Sequence, residues 1–273
     1  MAQKLHFIGQ SEAIHMRNQG GHFLAAISLA LLSGCALLSD GASGGASSSP
    51  SNRLAFSPAA ASLAFLGEQG TSEDPGRIVT FESQPVDLPL VQSQTTGSSE
   101  QLAFHPTGQF LYSSRIAYNA PVSAEQHVDV FRVSAQGTVA LIQTFPTLYQ
   151  TGPRSIAVRP DGKFLYLSTC GGNRSDAGIQ IYAIATDGTL TLADKINQTC
   201  LYPLVFDPSN SKLHGIHSFD DFWKIYSTDA LTGKLTLERT VVLPDDPTDI
   251  TIRPDGKFAY IGTAGDESIH AYR

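Results

Sequence analysis

At 273 residues the chain has the length of one all-β domain, and 41 % of it is hydrophobic against 16 % charged. Its 25 acidic residues outweigh 18 basic ones, for a net charge of −7, which is the wrong sign for tracking a phosphate backbone, so no nucleic-acid partner is expected. One apolar run lies near the N-terminus, and no second segment of membrane-spanning length follows it, so any membrane attachment is expected to be through lipid alone.

That run, FLAAISLALL at 23–32, is too short to span a bilayer but has the length of a signal-peptide core. It leads directly into Leu32-Ser33-Gly34-Cys35, which resembles the lipobox of bacterial lipoproteins. The resemblance implies that residues 1–35 are a lipoprotein signal peptide and that Cys35 carries the lipid as the mature N-terminus. An ordinary secretory signal cleaved nearby is the alternative, and Met16, just ahead of Arg17, is an alternative start. Residues 36–53 are Ser/Gly-rich and form a tether; at about 5–6 Å × √n, some fourteen flexible residues reach roughly 20 Å. Ala36, not Asp, follows the cysteine, which by the Gram-negative sorting rule implies the outer membrane, on its periplasmic side.

From residue 54 onward a ten-residue pattern recurs: AFSPAAASLA, AFHPTGQFLY, AVRPDGKFLY, VFDPSNSKLH and TIRPDGKFAY, centred on Pro58, Pro106, Pro160, Pro208 and Pro254. The copies stand 46 to 54 residues apart, a period that marks propellers or solenoids. Within the unit 155–196, apolar and polar residues alternate in four short runs rich in Val, Ile, Leu, Phe and Tyr. The first ends at Pro160; the others are Phe164 to Thr169, Gly178 to Ile184 and Leu190 to Ile196. Pro160-Asp161-Gly162-Lys163 is turn chemistry, as is Asp187-Gly188, whose place Gly137 and Gly233 take in neighbouring units. Four strands in about 45 residues predict a blade, so the fold class is all-β: a β-propeller of four-stranded antiparallel blades. Five blades are recognisable, at 54–94, 101–145, 155–196, 202–241 and 249–273, and the last is incomplete because its fourth strand is missing. A five-bladed ring and a shortened larger propeller both fit this count. The recurring aromatics Phe110, Tyr112, Phe164, Tyr166, Phe258 and Tyr260 are expected between blades.

Antiparallel blades send the loops between second and third strands, and the connections between blades, to one face of the disc. Cys170 begins such a loop and Cys200 lies in such a connection, so the two are expected close together and disulfide-bonded, with two separate thiols as the alternative. The same face carries Arg115, Tyr118, Tyr149, Arg154, Asn173, Arg174 and Asp176. Arginines with tyrosines suit a carboxylate, phosphate or sugar-like ligand, and solvated loop residues are the bland reading. No pattern requires a metal or cofactor, and none is expected. His214 and His217 sit three apart on a strand and point to opposite faces. Ser43 in Gly41-Ala42-Ser43-Gly44-Gly45 lies in the tether, where no nucleophile elbow forms.

The repeat, the blade layout and the step Gly152-Pro153-Arg154 resemble the seven-bladed β-propeller lactonase family, similar to bacterial 6-phosphogluconolactonases and YVTN-repeat propellers. The resemblance covers 54–273 and implies a lactone-opening activity in which His follows the Pro-Arg step and an Asn-Glu pair closes the next strand. Here the His position is Ser155 and the Asn-Glu positions are Thr169 and Cys170, which leaves Arg154 as the one catalytic candidate. Two readings follow: a lipid-anchored envelope propeller that binds a partner protein or small polar ligand, and a lactonase-like hydrolase with altered catalytic groups.

Overall fold

The computed structural model describes residues 12–17, 24–29, 53–56, 63–68, 77–82, 90–95, 99–115, 126–148, 152–170, 177–197, 199–209, 211–217, 220–244 and 246–273. Among them there are twenty-one strands and no helix. β1 (Glu12–Arg17) and β2 (Leu24–Leu29) form a separate two-stranded antiparallel sheet, so the described part of the apolar run is a strand. Cys35 and the tether lie outside the described residues.

The remaining strands form the five expected sheets. β3 (Arg53–Phe56), β4 (Leu63–Glu68), β5 (Arg77–Glu82) and β6 (Leu90–Thr95) make the first blade. β7 (Ser99–Phe104), β8 (Phe110–Arg115), β9 (His127–Val133) and β10 (Val139–Pro146) make the second. The third holds β11 (Pro153–Val158), β12 (Phe164–Thr169), β13 (Gly178–Ile184) and β14 (Leu190–Asn197), each strand within two residues of its expected bounds. β15 (Leu204–Phe206), β16 (Lys212–His217), β17 (Phe222–Thr228) and β18 (Leu235–Val242) form the fourth. The fifth has three strands, β19 (Pro247–Ile252), β20 (Ala259–Thr263) and β21 (Ser268–Tyr272). All are antiparallel meanders, the connectivity that short turns between successive strands impose.

The repeat motif builds the first turn of the second, third and fifth blades. In the third blade Gly162 has φ +74° and donates its N–H to Arg159 O, a conformation that glycine adopts without steric cost. In the third strand-to-fourth strand turn, Gly188 takes φ +89° for the same reason. The blades then pack face to face. Phe110, Tyr112, Val128 and Val130 of the second bury against Ile156, Leu165, Leu167, Tyr182 and Leu190 of the third. Phe164, Tyr166, Ile179 and Ile181 continue the core to Leu204, Phe206, Leu213 and Tyr226, and Ile216 and Trp223 carry it to Ile250, Ala259 and Ile261. Each large apolar side chain so buried contributes roughly 1.5–3 kcal/mol.

Polar side chains repeat with the core. Tyr112 donates its hydroxyl to Gly188 O at 3.2 Å and Tyr166 donates to Gly233 O at 2.8 Å, so each links its blade to the outer turn of the next. Burial pushes the Tyr166 phenol up to about 12 and raises Tyr112 further, with the Asp187 carboxylate adding to the effect on Tyr112. Both stay neutral donors. Arg159, 2 % exposed, grips Asp161 with two hydrogen bonds of 2.8 and 2.7 Å, lies over the Phe164 ring, and reaches Asp229 O and Ala230 O in the fourth blade. Burial alone would raise the Asp161 carboxyl, but these bonds and the Lys163 N–H outweigh it and hold the group below its ordinary value.

Candidate functional site

The face expected to carry ligand groups is formed by the starts of the innermost strands and the ends of the second strands. A register shift between Pro153 and Ser155, opposite Thr169 and Ser168, makes Arg154 the extra residue of a bulge and leaves it exposed. Bulges re-aim a side chain out of the ladder, and here the re-aimed group is the guanidinium. Beside it the Cys170–Cys200 disulfide is present, with Cα atoms 4.9 Å apart and the two cysteines separated by 30 positions in sequence. The Cys170 N–H donates to Gly152 O at 3.1 Å, tying the bridge to the Gly-Pro-Arg step.

The groups flanking Arg154 are committed to structure. Ser155 is fully buried, and its Oγ accepts the Leu204 N–H at 2.8 Å, joining the third blade to the fourth. Thr169, also fully buried, donates its hydroxyl to Gly178 O at 3.2 Å. Ser168 Oγ accepts from Leu201 N at 3.0 Å, just past the disulfide. The equivalent of Ser155 in the second blade is Gln101, whose Oε1 accepts the Ile156 N–H at 2.9 Å. Of these, Ser168 and Gln101 were not singled out from the sequence, and Ser155 and Thr169 were singled out only as positions where the lactonase pattern has other residues. The signal that could have found them is position: Gln101 and Ser155 each stand five residues before the repeat proline, where a strand core position would otherwise be apolar.

Arg115 ends β8 and is drawn into its own blade. Its guanidinium contacts His127 Nε2, and its Nε lies 3.8 Å from Asp129 Oδ2. Asp129 and His127 are buried, and Asp129 also accepts the Thr144 hydroxyl at 2.8 Å. Arg115 thus sits partly buried in a charged network at the end of its strand. Tyr118, Tyr149, Asn173, Arg174 and Asp176 lie outside the described residues, as does Cys35.

The two histidines of the fourth blade part company as expected for a strand. His214 is buried and accepts the Trp223 indole N–H at Nδ1, 3.2 Å away, whereas His217 lies 3.5 Å from Asp220. Among the described residues no three His, Cys, Asp or Glu side chains come together in a metal-binding group.

What these elements define is a propeller of lactonase-like architecture. A family model for the lactonase, seven-bladed β-propeller matches residues 96–248, more than half of the sequence and the whole of blades two to four, and the chain belongs to that family. No curated protein sequence matches it. Among solved structures, a functionally unknown protein of Desulfotomaculum acetoxidans is 14 % identical with TM-score 0.66, the match covering 96 % of this chain and 75 % of the other. Hydrazine synthase of Kuenenia stuttgartiensis gives 15 % identity and TM-score 0.65, over 81 % and 70 % of the two chains. The periplasmic gluconolactonase of Pseudomonas aeruginosa gives 15 % and 0.60, over 84 % and 74 %. Proteins of such different names share the fold, and at these identities the fold is what the likeness establishes.

Proposed function

We propose that the protein is a lipid-anchored propeller of the bacterial cell envelope that binds a partner protein or a small polar ligand without turning it over. The observation that supports this reading is the fate of the three positions flanking Arg154. Opening a lactone requires a base to activate water and a group to stabilise the oxyanion. Ser155 holds a backbone N–H of the next blade, Thr169 is buried, and Cys170 is tied up in a disulfide, so none of them supplies that base. Arg154 stays exposed on the bulge, where a guanidinium suits a carboxylate, phosphate or sugar-like group. Together with Arg115, Tyr118, Tyr149, Arg174 and Asp176 it forms the proposed ligand face.

A lactonase-like hydrolase acting on a sugar-derived or other lactone is the second reading, favoured by family membership and by the exposed Arg154. Purified protein incubated with gluconolactone and simple acyl lactones decides between them. Turnover above the spontaneous rate that disappears in Arg154→Ala overturns the binding reading; its absence in the wild type overturns the enzyme reading. Lipid attachment is tested in a Gram-negative host by labelling with a palmitate analogue. Label and outer-membrane fractionation should both be lost in Cys35→Ser, and a wild-type protein that carries no label overturns the anchor.

A further inference from the structure

The bulge that exposes Arg154 recurs from blade to blade. Register shifts skip Glu100 between Ser99 and Gln101, Arg154 between Pro153 and Ser155, and Thr248 between Pro247 and Asp249, each six residues before the repeat proline. The fourth blade keeps the position. Tyr202, six residues before Pro208, donates its N–H to Ile216 O at 2.7 Å while Ile216 donates back to Pro203 O at 3.4 Å, so two residues again stand opposite one. In this way each innermost strand sets one side chain at its ligand-face end, and the third and fourth blades contribute an exposed arginine next to a half-buried tyrosine. Two links hold that pair together. The 2.8 Å bond from Leu204 N to Ser155 Oγ joins the strands one residue past Arg154 and two past Tyr202. The Cys170–Cys200 disulfide closes the other side, since Cys170 N–H is bonded to Gly152 O, two residues before Arg154, and Cys200 stands two residues before Tyr202. The hydroxyl and amide side chains around the pair are already engaged. Ser155, Ser168 and Gln101 accept backbone N–H groups, Thr169 donates to Gly178 O, and Thr248 donates to Gly262 O at 3.2 Å. A ligand rich in hydroxyls would have to compete for these groups, whereas a carboxylate on a flat apolar body needs only a guanidinium and a ring.

We propose that Arg154 and Tyr202 form one subsite for an aromatic carboxylate: the guanidinium takes the carboxylate, the Tyr202 ring packs against the ring of the ligand, and the disulfide holds the two side chains in place for both contacts. This subsite rests on the ligand-binding reading above and narrows it, because the anion is carried by a planar apolar body and not by a sugar. Tyr202 is the residue that sets this preference, and the cysteines act on it by position.

The test compares two probes of equal charge, benzoate and gluconate, titrated into the full chain at low salt with binding followed by calorimetry or by ligand-observed NMR. Benzoate should bind about tenfold tighter than gluconate. Arg154→Ala should weaken both acids by about tenfold or more. Tyr202→Ala should bring benzoate down to the affinity of gluconate, while Tyr202→Phe, which keeps the ring, should retain the preference. The double variant Cys170→Ala, Cys200→Ala, held well below its melting temperature, should bind benzoate about threefold more weakly. The comparison of the two acids on the wild type needs no variant, so it decides the matter even if Tyr202→Ala does not fold. Gluconate binding as tightly as benzoate, and more weakly in Arg154→Ala, overturns the aromatic subsite and leaves the ligand face standing. A benzoate preference that survives Tyr202→Ala also overturns it, and binding of neither acid removes the subsite together with Arg154 as a small-ligand site.

Discussion

One position in the repeat, six residues after its proline, shows how a single side chain joins two blades. Tyr166 is fully buried, and its hydroxyl is held 2.8 Å from Gly233 O. Tyr166→Phe keeps the ring and leaves that carbonyl unsatisfied, so urea denaturation should show a loss of about 1–2 kcal/mol with an unchanged m value. His214 in the same position makes stability depend on pH. Burial lowers its pKa from 6.5 to about 4, with the Lys212 charge acting in the same direction. Between these values the unfolded chain takes up a proton that the folded one refuses, so the stabilisation is complete above about pH 6.5 and is lost as pH falls towards 4. At about 1.4 kcal/mol per pH unit, the change across that window is roughly 3 kcal/mol. Denaturation midpoints measured from pH 7 to pH 4 should fall more steeply for the wild type than for His214→Phe, and parallel slopes would assign the dependence to other groups.

At the scale of the element, most of the blade was legible because its determinants are local. Alternation and turn residues depend on neighbours in sequence, which is why the strand bounds of the third blade agree within two residues and why the positive φ falls on the expected glycines. The disulfide was legible too, since antiparallel topology fixes which strand ends share a face. The roles of Ser155, Ser168, Gln101 and Arg159 were not, because each is defined by a backbone group 33 to 71 residues away that the local pattern does not reveal. The partners of Arg115 were illegible for the same reason: a basic residue opening a loop does not announce the His127 and Asp129 side chains beside it. Two element-scale predictions follow from such long-range contacts. Gly233 has φ +72°, and a Cβ there would lie 2.5 Å from Phe164 Cδ1, so Gly233→Ala should cost more than the roughly 1 kcal/mol typical of the backbone effect alone. Differential scanning calorimetry should show the lower melting temperature, and a variant that melts with the wild type would mean that the Phe164 ring has room to move. The double variant Cys170→Ala, Cys200→Ala opens a closed loop of about 30 residues, for which loop entropy gives about 3–4 kcal/mol. Its guanidinium midpoint should match that of reduced wild-type protein.

For the whole molecule the consequence is a graded stability. Each sheet buries its faces against the sheets before and after it, and the clusters that hold the described blades together run pairwise along the chain: first to second, second to third, third to fourth, fourth to fifth. An array coupled in this way behaves as a one-dimensional chain, in which a unit packed on both sides inherits stability from two interfaces. The third blade is such a unit: Leu165, Leu167, Tyr166 and Tyr182 are fully buried, and Arg159 and Ser155 add hydrogen bonds to the fourth. Among the described residues the fifth packs against the fourth alone: Arg253 and Phe258 repeat the Arg159–Phe164 pair, yet the Arg253 side chain is 51 % exposed where that of Arg159 is 2 % exposed. Amide exchange should therefore be slowest in β12 and β13 and fastest in β20 and β21, spanning the range from global unfolding to local opening. Two buried truncations separate the cases, each expected to cost about 2–5 kcal/mol locally. Ile261→Ala should speed exchange in β19 to β21 and leave β12 nearly untouched, whereas Leu167→Ala should speed exchange in the second, third and fourth blades together. Equal acceleration everywhere by both variants would show a single cooperative unit instead, with the fifth blade held as firmly as the third.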